Sequence, residues 1–417
     1  MVTTQPDGRV DGSRSASQYD CVISGGGPAG MVAGLLLARS GVRVLVCEKH
    51  KDFLRDFRGD TVHASTLTLL DELGLSEEFA RLPQHEERTV RMELDDGEFV
   101  LADFARLPGR HQAIAFVPQW DLLDLLARAA SGQPTFELRM TSEVTDLVTR
   151  HGRVEGVRLR DGEGEQEVRA RLTIAADGRR SVLRERSGLP LRSFGAPVDV
   201  LWFRLPVAEG DRTAVRLRLS AGSMTVLIPR GEYWQCAFVV TKGSGPAMLT
   251  DGAARLRERF AALVPAMAER VAAVRPDDVS TLDVQLNRLL RWDRPGLLCI
   301  GDAAHAMSPV AGVGINLAVQ DAVAVANLLA APLREAWPID PLLPRVRRRR
   351  LLPTVLTQAM QRAVHKRLFS SWVVPGSQLR LPFAFRLIRR FPALRALTGR
   401  MVGLGLLPEH IRTPPAP

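Results

Sequence analysis

The chain has 417 residues, of which 46% are hydrophobic and 24% charged, and its formal net charge at pH 7 is +10. This composition is typical of an ordinary globular protein, long enough for two or three domains. No uninterrupted apolar run approaches the roughly 18 residues of a membrane span, and the polar residues 1–18 lack the apolar core of a signal peptide, which predicts a disordered tail on a cytoplasmic protein.

The first predicted elements are a strand, a glycine turn and a helix. The apolar run Cys21–Ser24 precedes Gly25-Gly-Gly-Pro-Ala-Gly30, and small residues continue to Ala38. Gly25 permits a tight turn, Gly27 lets the backbone approach a pyrophosphate, and Gly30 lets the helix pack closely on the strand. The pyrophosphate would lie at the helix N-terminus, where free N–H groups and the dipole favour anions.

A second predicted strand, 42–47, ends at Glu48, which lies 23 residues after Gly25. An acid at about this spacing accepts hydrogen bonds from a ribose diol and repels a ribose 2′-phosphate. The unit therefore favours FAD or NAD over NADP at this site.

The middle of the chain is rich in predicted strands. They lie within 88–101 and 140–175, with a helix over 119–130 between them. A second block of strands over 198–241 precedes a helical pattern over 252–274 and a strand over 279–286. Large side chains in that block are expected to line a hydrophobic substrate cavity, although alternation alone assigns about half of them to the core. These candidates are Trp202, Arg204, Met224, Leu227, Trp234 and Phe238.

Two further buried strands end in acidic turns. The strand 171–176 leads to Asp177, and the strand 295–300 leads to Gly301 and Asp302. Because the carboxyl ends of parallel strands meet at one edge of a sheet, both acids are expected beside the nucleotide crevice.

A Gly-rich loop over 307–316 follows, before a helix that is predicted to end near Leu333. The start of that helix offers backbone donors and positive potential to a ligand that becomes anionic when reduced.

The order of these three motifs resembles the single-component FAD-dependent aromatic monooxygenases typified by para-hydroxybenzoate hydroxylase, which include tailoring hydroxylases of natural-product pathways. The resemblance covers about residues 19–335. It implies an α/β fold with a discontinuous Rossmann-like FAD-binding domain of the glutathione-reductase type over 19–190 and 280–340. We expect an inserted strand-rich substrate domain over 191–279 and a basic helical segment over 341–417.

The resemblance implies FAD as the cofactor and NAD(P)H as a transient reductant. Glu48 would contact the adenosine ribose and Asp302 a ribitol hydroxyl, while Asp177 and Arg179 resemble the motif that braces FAD as NAD(P)H docks. The loop 309–316 would offer N–H groups to the flavin pyrimidine edge. The candidate FAD-binding residues are Gly25, Gly27, Pro28, Ala29, Gly30, Glu48, Lys49, Arg58, Gln119, Asp177, Arg179, Asp302, Pro309, Gly312, Val313, Gly314 and Asn316.

The chemistry implied is hydroxylation or epoxidation, through a flavin C4a-hydroperoxide formed with O2, of a large apolar aromatic or polyketide-like molecule. The cofactor performs most of this chemistry, so a protein acid–base triad is not required. Tyr233 is the tyrosine candidate for removing a phenolic proton and His305 a candidate proton relay, but both, like His63, also fit structural roles.

Two alternatives are a flavin-dependent reductase of prenyl-type double bonds on the same scaffold and a non-catalytic FAD-binding protein. A flavin halogenase is disfavoured, because the Trp-x-Trp-x-Ile-Pro signature is absent from the sequence.

Positive charge is concentrated in one segment. Residues 345–400 contain 14 Lys and Arg and no Asp or Glu, so the rest of the chain sums to −4. The pattern predicts basic amphipathic helices whose apolar side packs on the protein body, with an acidic carrier protein or a membrane surface as an alternative contact. No nucleic-acid recognition motif accompanies the arginines.

The four cysteines, Cys21, Cys47, Cys236 and Cys299, lie far apart in apolar runs. They predict buried thiols, not a metal site or a disulfide framework.

Overall fold

The computed structural model describes residues 18–54, 61–211, 214–220, 222–366 and 383–416. Residues 1–17 of the predicted tail and the candidate Arg58 lie outside the described residues.

The described residues form strands and helices in the order that the sequence predicts. The strands are β1 (Gln18–Ser24), β2 (Val44–Cys47), β3 (Thr61–Val62), β4 (His85–Glu87), β5 (Thr89–Leu94), β6 (Gly97–Asp103), β7 (Ile114–Phe116), β8 (Phe136–Arg139), β9 (Glu143–Arg150), β10 (Arg153–Asp161), β11 (Gly164–Ala175), β12 (Leu191–Ser193), β13 (Val198–Pro206), β14 (Arg216–Ser220), β15 (Ser223–Pro229), β16 (Tyr233–Thr241), β17 (Ser280–Leu282), β18 (Asn287–Leu289), β19 (Asp293–Arg294) and β20 (Leu297–Cys299). The α-helices are α1 (Pro28–Arg39), α2 (Ala64–Leu73), α3 (Ser76–Ala80), α4 (Gln119–Ser131), α5 (Val182–Ser187), α6 (Gly245–Leu263), α7 (Ala268–Val271), α8 (Gly314–Arg334), α9 (Leu343–Val364), α10 (Phe383–Arg390) and α11 (Pro392–Gly403).

The first sheet is the predicted dinucleotide-binding unit. Its order is β19-β20-β11-β1-β2-β8, in which β20, β11, β1, β2 and β8 run parallel, and the β9–β10 hairpin extends it beside β11. The central strands β1 and β2 are almost wholly buried, as expected for parallel strands covered on both faces. Helices α1, α4 and α8 pack together on this unit. The carboxyl ends of β1, β11 and β20 therefore meet at one edge.

The second sheet has the order β17-β13-β16-β15-β14-β5-β6. It corrects the predicted domain boundaries, because residues 89–103 and 280–282 belong to this sheet although the sequence assigned them to the FAD-binding domain. The hairpin β5–β6 joins the second sheet because β5 pairs in parallel with β14. This long-range contact cannot be predicted from a local sequence pattern. One face of the sheet packs on α6, where the rings of Phe203 and Phe260 meet edge to face at 5.0 Å.

The C-terminal helices pack on both sheets. Phe385 and Ile388 of α10 contact the apolar cluster of β5, β6 and β14, so the apolar side of this basic helix faces the body, as the amphipathic pattern predicts. Helix α11 lies on β6 so closely that a Cβ on Gly399 would be 2.0 Å from the carbonyl oxygen of Asp103. The tail then returns to the first sheet, where the N–H of Ala416 donates to the carbonyl of Arg39 at 2.7 Å.

The segment Val310–Arg334, which contains α8, is long and apolar enough to cross a membrane by length and composition. Uninterrupted apolar runs in the sequence do not predict such a segment. However, 83% of its most apolar window is buried inside the protein. It lies between α1 and α9, which is the position of a core helix.

All four cysteines are buried free thiols, as predicted. Burial raises the pKa of each thiol, that of Cys47 to about 12.

Candidate FAD-binding site

The glycine turn (residues 25–30) joins β1 to α1. Gly25 has φ +104°, and a Cβ on Gly30 would lie 1.9 Å from the carbonyl oxygen of Gly25, so the fold itself requires glycine at both positions. A Cβ on Gly27 would meet nothing within 4 Å. Helix α1 begins at Pro28 without a side-chain cap, which leaves its first N–H groups facing this open space. The turn fits a dinucleotide pyrophosphate.

Glu48, the residue after β2, forms a hydrogen bond with the glycine turn. Its carboxylate is 3% exposed and accepts hydrogen bonds from the N–H of Gly26 at 2.9 Å and the N–H of His50 at 3.0 Å. The adjacent candidate Lys49 is exposed. The acid therefore links the glycine turn to the end of β2, and its contact with an adenosine ribose stays a prediction.

Arg179, from the motif after β11, pairs with Asp302, the acid of the motif after β20. Asp302 Oδ2 accepts from Arg179 Nε at 2.8 Å, while Arg179 Nη1 is buried without a partner. Asp177 Oδ1 is likewise buried and unpartnered, and Oδ2 accepts from the N–H of Leu183 at 3.3 Å. Burial raises the pKa of Asp177 in spite of hydrogen bonds that lower it. These orphaned polar atoms fit the edge of a polar cofactor.

The Gly-rich loop (residues 307–316) contains a tight 3₁₀ turn at Val310–Gly312, next to the start of α8. Gly312 has φ +64° and lies against Thr61, whose Oγ1 would be 3.0 Å from an added Cβ. Asn316 is held by α2, because its Oδ1 accepts from Ser65 Oγ at 2.7 Å and Thr66 Oγ1 at 2.8 Å. Helix α8 has neither a side-chain cap nor an acid in its first turn, so its N-terminus keeps its positive potential.

The remaining candidates lie around this loop. Pro309, Val313 and Gly314 belong to the loop itself, between Ser308 and the first turn of α8. Gln119 is the first residue of α4, three residues after β7, and β7 pairs with β3, which carries Thr61. The glycine turn, the two acids and the loop thus all belong to the carboxyl edge of the first sheet and the helix starts beside it.

Helix α9 supports the Gly-rich loop from behind, and sequence reasoning missed it. Gln361 Nε2 donates to the carbonyls of Ser308 at 2.9 Å and Val310 at 3.1 Å, and its Oε1 accepts from the N–H of Ser308 at 3.1 Å. Gln358 Nε2 donates to the carbonyl of Ala306 at 3.3 Å.

This polar inner face corrects the expectation that all the basic helices bury an apolar side. Arg350, Thr354, Gln358 and Gln361 are buried, whereas Leu352 and Leu356 are about half exposed. Helix α9 covers loop backbone, whose carbonyls and N–H groups need partners once water is excluded. The helical spacing of these polar residues was the available signal.

A buried ion network lies beneath the turn after β20. Asp321 of α8 is fully buried and accepts from the N–H of Gly301 at 3.1 Å, from His305 Nε2 at 2.6 Å and from Arg350 Nε at 3.1 Å. Burial raises the pKa of Asp321, but its interactions with His305 and Arg350 and the hydrogen bond from Gly301 outweigh burial and hold the pKa below its usual value. Glu409 pairs with Arg349 at 2.7 Å and lies 3.5 Å from Arg350. Two arginines of the basic run are therefore neutralised internally.

The two candidate histidines occupy bracing positions. His305, fixed by Asp321, holds the turn that carries Asp302. His63 is fully buried, with Nδ1 2.8 Å from the carbonyl of Val402 and Nε2 3.1 Å from the carbonyl of Gly312. Burial lowers the pKa of His63 against the effect of these two contacts. His63 connects α11 to the Gly-rich loop.

The substrate candidates separate onto the two faces of the second sheet. Leu227, Trp234 and Phe238 are fully buried in the core against α6. The prediction that these three residues line a substrate cavity is therefore wrong. Alternation along β15 and β16 turns these three toward the helix. Trp234 Nε1 is satisfied there by Asp211 at 2.8 Å.

Trp202, Arg204 and Met224 lie on the opposite face. Trp202 contacts apolar clusters on both sides, and its Nε1 is buried without a partner. Arg204 is exposed, with its guanidinium 4.7 Å from the ring centre of Tyr233, which places Tyr233 at the exposed end of the sheet.

The chain is similar to several known proteins. The model of the FAD binding domain family matches residues 18–358. A 6-methylpretetramide 4-monooxygenase of Streptomyces rimosus is 33% identical over 403 residues, which cover 96% of this chain and 95% of the relative. Aklavinone 12-hydroxylase DnrF of Streptomyces peucetius is 28% identical over 80% of this chain and 70% of its own length.

Among solved structures, pqsL, a probable FAD-dependent monooxygenase from Pseudomonas aeruginosa, superposes with a TM-score of 0.73 at 22% identity, over 86% of this chain and 97% of that chain. At this identity the likeness concerns the fold. Taken with the family match over most of the sequence and the hydroxylases among its relatives, it leads to one conclusion: the chain belongs to the FAD binding domain family and is an FAD-dependent monooxygenase.

Proposed function

We propose that the protein uses NAD(P)H to reduce FAD and then hydroxylates a large, apolar, polycyclic aromatic molecule of polyketide type, in the cytoplasm. The relatives named for 6-methylpretetramide and aklavinone support this substrate class. Epoxidation is the nearest variant of the same reaction.

The observation that carries the proposal is the apolar face of the second sheet that turns away from α6. Trp202, Val226 and Ile228 on this face share one cluster with Ala64 of α2 and with Val402 beside the Gly-rich loop. Ala64 follows His63, which contacts Gly312 of that loop. An aromatic substrate on this face would therefore lie close to the predicted flavin.

When bound, FAD accepts a hydride from NAD(P)H and activates O2 for transfer of one oxygen atom to the substrate. The chain's own residues would hold the cofactor in position and shield it from water. The glycine turn and Glu48 would bind the adenosine diphosphate half, and Asp302 with Arg179 the ribitol. The N-terminus of α8 would stabilise negative charge on the reduced ring, because free N–H groups and the helix dipole favour anions.

The chain's histidines and its sheet tyrosine have different proposed roles. His305 would act as a positioning residue for Asp302 through its hydrogen bond with Asp321. Tyr233 would contact substrate only near the exposed end of the sheet, beside Arg204. Trp202 offers an unpartnered indole N–H toward the apolar face, where it could donate to a substrate carbonyl or hydroxyl oxygen.

The exposed arginines of α10 and α11 are our proposed contact for an acidic carrier protein or an anionic membrane surface, supported by their charge alone.

The function is tested by recording the flavin absorbance during anaerobic reduction and subsequent reoxidation. The purified protein, loaded with FAD under anaerobic conditions, is mixed with NADPH or NADH, and oxygen is then admitted. We expect the flavin band to bleach and return, with oxygen incorporated into an added polycyclic phenol or released as peroxide. A band that neither nicotinamide bleaches, with candidate substrates present, would overturn the proposal, and double-bond reduction without oxygen uptake would favour the reductase.

Asp302→Ala tests the site itself. We expect FAD affinity to fall about tenfold or more, because a charged hydrogen-bond partner is lost. Asp340→Ala is the matched control, since Asp340 pairs with Arg153 at 3.0 Å with similar exposure but away from the crevice. Equal FAD retention in the two variants would contradict the assignment.

A further inference from the structure

Three arginines surround one aromatic ring outside the FAD site. The guanidinium carbons of Arg192, Arg288 and Arg362 lie 5.3, 5.3 and 5.0 Å from the centre of the Phe194 ring. We call these three residues the arginine cluster. The half-buried Phe194 also packs against Met307, at the start of the Gly-rich loop.

The arginine cluster is built by elements that are distant in sequence. Arg192 of β12 and Arg288 of β18 are directly opposite each other in an antiparallel pair, and Arg362 comes from α9. Like charges directly opposite across two strands destabilise a sheet. With each guanidinium carbon within 5.3 Å of the same ring centre, any two are no more than about 11 Å apart, which is close to the Debye length of about 10 Å at 0.1 M ionic strength.

Among the described residues, no carboxylate forms an ion pair with the arginine cluster. Within the described parts of the chain, the ion pairs under 4.0 Å include none to the three arginines, and Arg288 Nη1 donates to the neutral Gln358 at 2.7 Å. Burial and the charges of Arg192, Arg347 and Arg362 lower the pKa of Arg288.

A fourth arginine extends the positive surface along α9. Arg347 lies 15 residues before Arg362, about 22 Å along the helix axis, and its Nε is buried without a partner. Arg347 interacts electrostatically with Asp293, whose pKa is raised by burial.

Two other arginines of α9, in contrast to the arginine cluster, are paired with acids. Arg349 of α9 is paired with Glu409, and Arg350 of the same helix is paired with Asp321. The arginine cluster has no ion pair of this kind in the described part of the chain, although its three members come from three different elements. Guanidinium forks match phosphate oxygens in pairs, and several of them on one rigid surface concentrate an anionic ligand.

We propose that the arginine cluster binds the phosphate or diphosphate group of a small-molecule ligand. Two sources offer this chemistry: the diphosphate of the nicotinamide nucleotide, a choice that rests on the proposed function, and a free inorganic polyphosphate acting as an effector. The site is connected to the FAD site, because Gln358 accepts from Arg288 and donates to the carbonyl of Ala306, just before the Gly-rich loop.

The test measures binding of inorganic pyrophosphate to the FAD-loaded enzyme by calorimetry. The variant is Arg192→Gln/Arg362→Gln, since both side chains are exposed and their loss leaves the core intact. Arg348→Gln is the matched control, an exposed arginine of α9 outside the cluster. We expect wild type and control to bind equally and the double variant to bind at least tenfold more weakly.

The KM for NADPH separates the two sources. A tenfold higher KM at unchanged kcat in the double variant, with pyrophosphate competing against NADPH in wild type, assigns the nucleotide. Weakened pyrophosphate binding with an unchanged KM assigns an effector. Absence of pyrophosphate binding in wild type, or equal binding by double variant and control, overturns the proposal. Calorimetry needs no flavin reduction, so failure of the proposed function would be seen separately.

Discussion

The glycine turn and the Gly-rich loop both present backbone N–H groups at the start of a helix, but they are held in place differently. The turn is built largely by its own residues: Gly30 lies against Gly25, while Glu48 binds the N–H of Gly26 and the backbone of Ala176 lies beside Gly25. The loop is held by side chains from α2 and α9 and by α11 through His63. A helix start can thus be prepared for an anion by local glycine spacing or by distant polar contacts, and only the first is visible as a motif.

The largest expected effect separates two glycines of the turn. Gly30→Ala should destabilise the protein by about 3 kcal/mol or more, because its Cβ would overlap the Gly25 carbonyl. Gly27→Ala should change stability by less than about 1 kcal/mol while weakening FAD binding, since its Cβ enters only the open space. Denaturant unfolding of the apoprotein and FAD fluorescence titration check both. Similar stability losses in the two variants would show that the turn is not locally built.

The second effect compares two adjacent arginines. Arg350→Met should cost about 3–5 kcal/mol, because it leaves Asp321 as a buried charge without its guanidinium partner. Arg349→Met also removes a pair to Glu409, but Arg349 is exposed, so the cost should be about 1 kcal/mol or less. Unfolding free energies of the two variants give the answer. Equal losses would mean that burial of the network contributes nothing.

The third effect concerns the support of the loop. Gln361→Leu should cost about 1–3 kcal/mol and reduce FAD affinity, because the N–H and carbonyl of Ser308 and the carbonyl of Val310 lose their partners. Leu356→Gln, on the exposed side of the same helix, should change neither by a measurable amount. FAD affinity that is unchanged in Gln361→Leu would show that the loop holds its shape unaided.

The smallest effect is a pH dependence at His63. Burial lowers its pKa in the folded state, so the unfolded chain takes up a proton near pH 6.5 before the folded protein does. The contribution is absent above that pH, and stability falls as the pH drops from about 6.5 toward the folded-state pKa, by up to about 1.4 kcal/mol per pH unit. His63→Asn should show a shallower slope between pH 7.5 and 5.5 in denaturant unfolding. A slope equal to that of wild type would contradict the assignment.

Most of the FAD-binding unit could be predicted because its signals are local. Gly25, Asp177 and Asp302 each follow an apolar strand directly, and parallel pairing brings such strand ends together. The hairpin β5–β6 could not be assigned to the second sheet, since its pairing with β14 joins residues more than a hundred positions apart. Alternation identified two faces of that sheet but not which one meets α6, and so Leu227, Trp234 and Phe238 were assigned to the wrong side.

The contacts of residues 409–416 also affect when the first sheet is completed during synthesis of the chain. Glu409 completes the ion network of Arg350, and Ala416 donates to Arg39 at the end of the first helix. Because residues 409 and 416 are synthesised long after Arg39, those contacts form during translation only once this later part of the chain has left the ribosome. The first sheet and its helix therefore gain these contacts late, and a nascent chain stalled before residue 409 would hold Arg350 without one of its two acids.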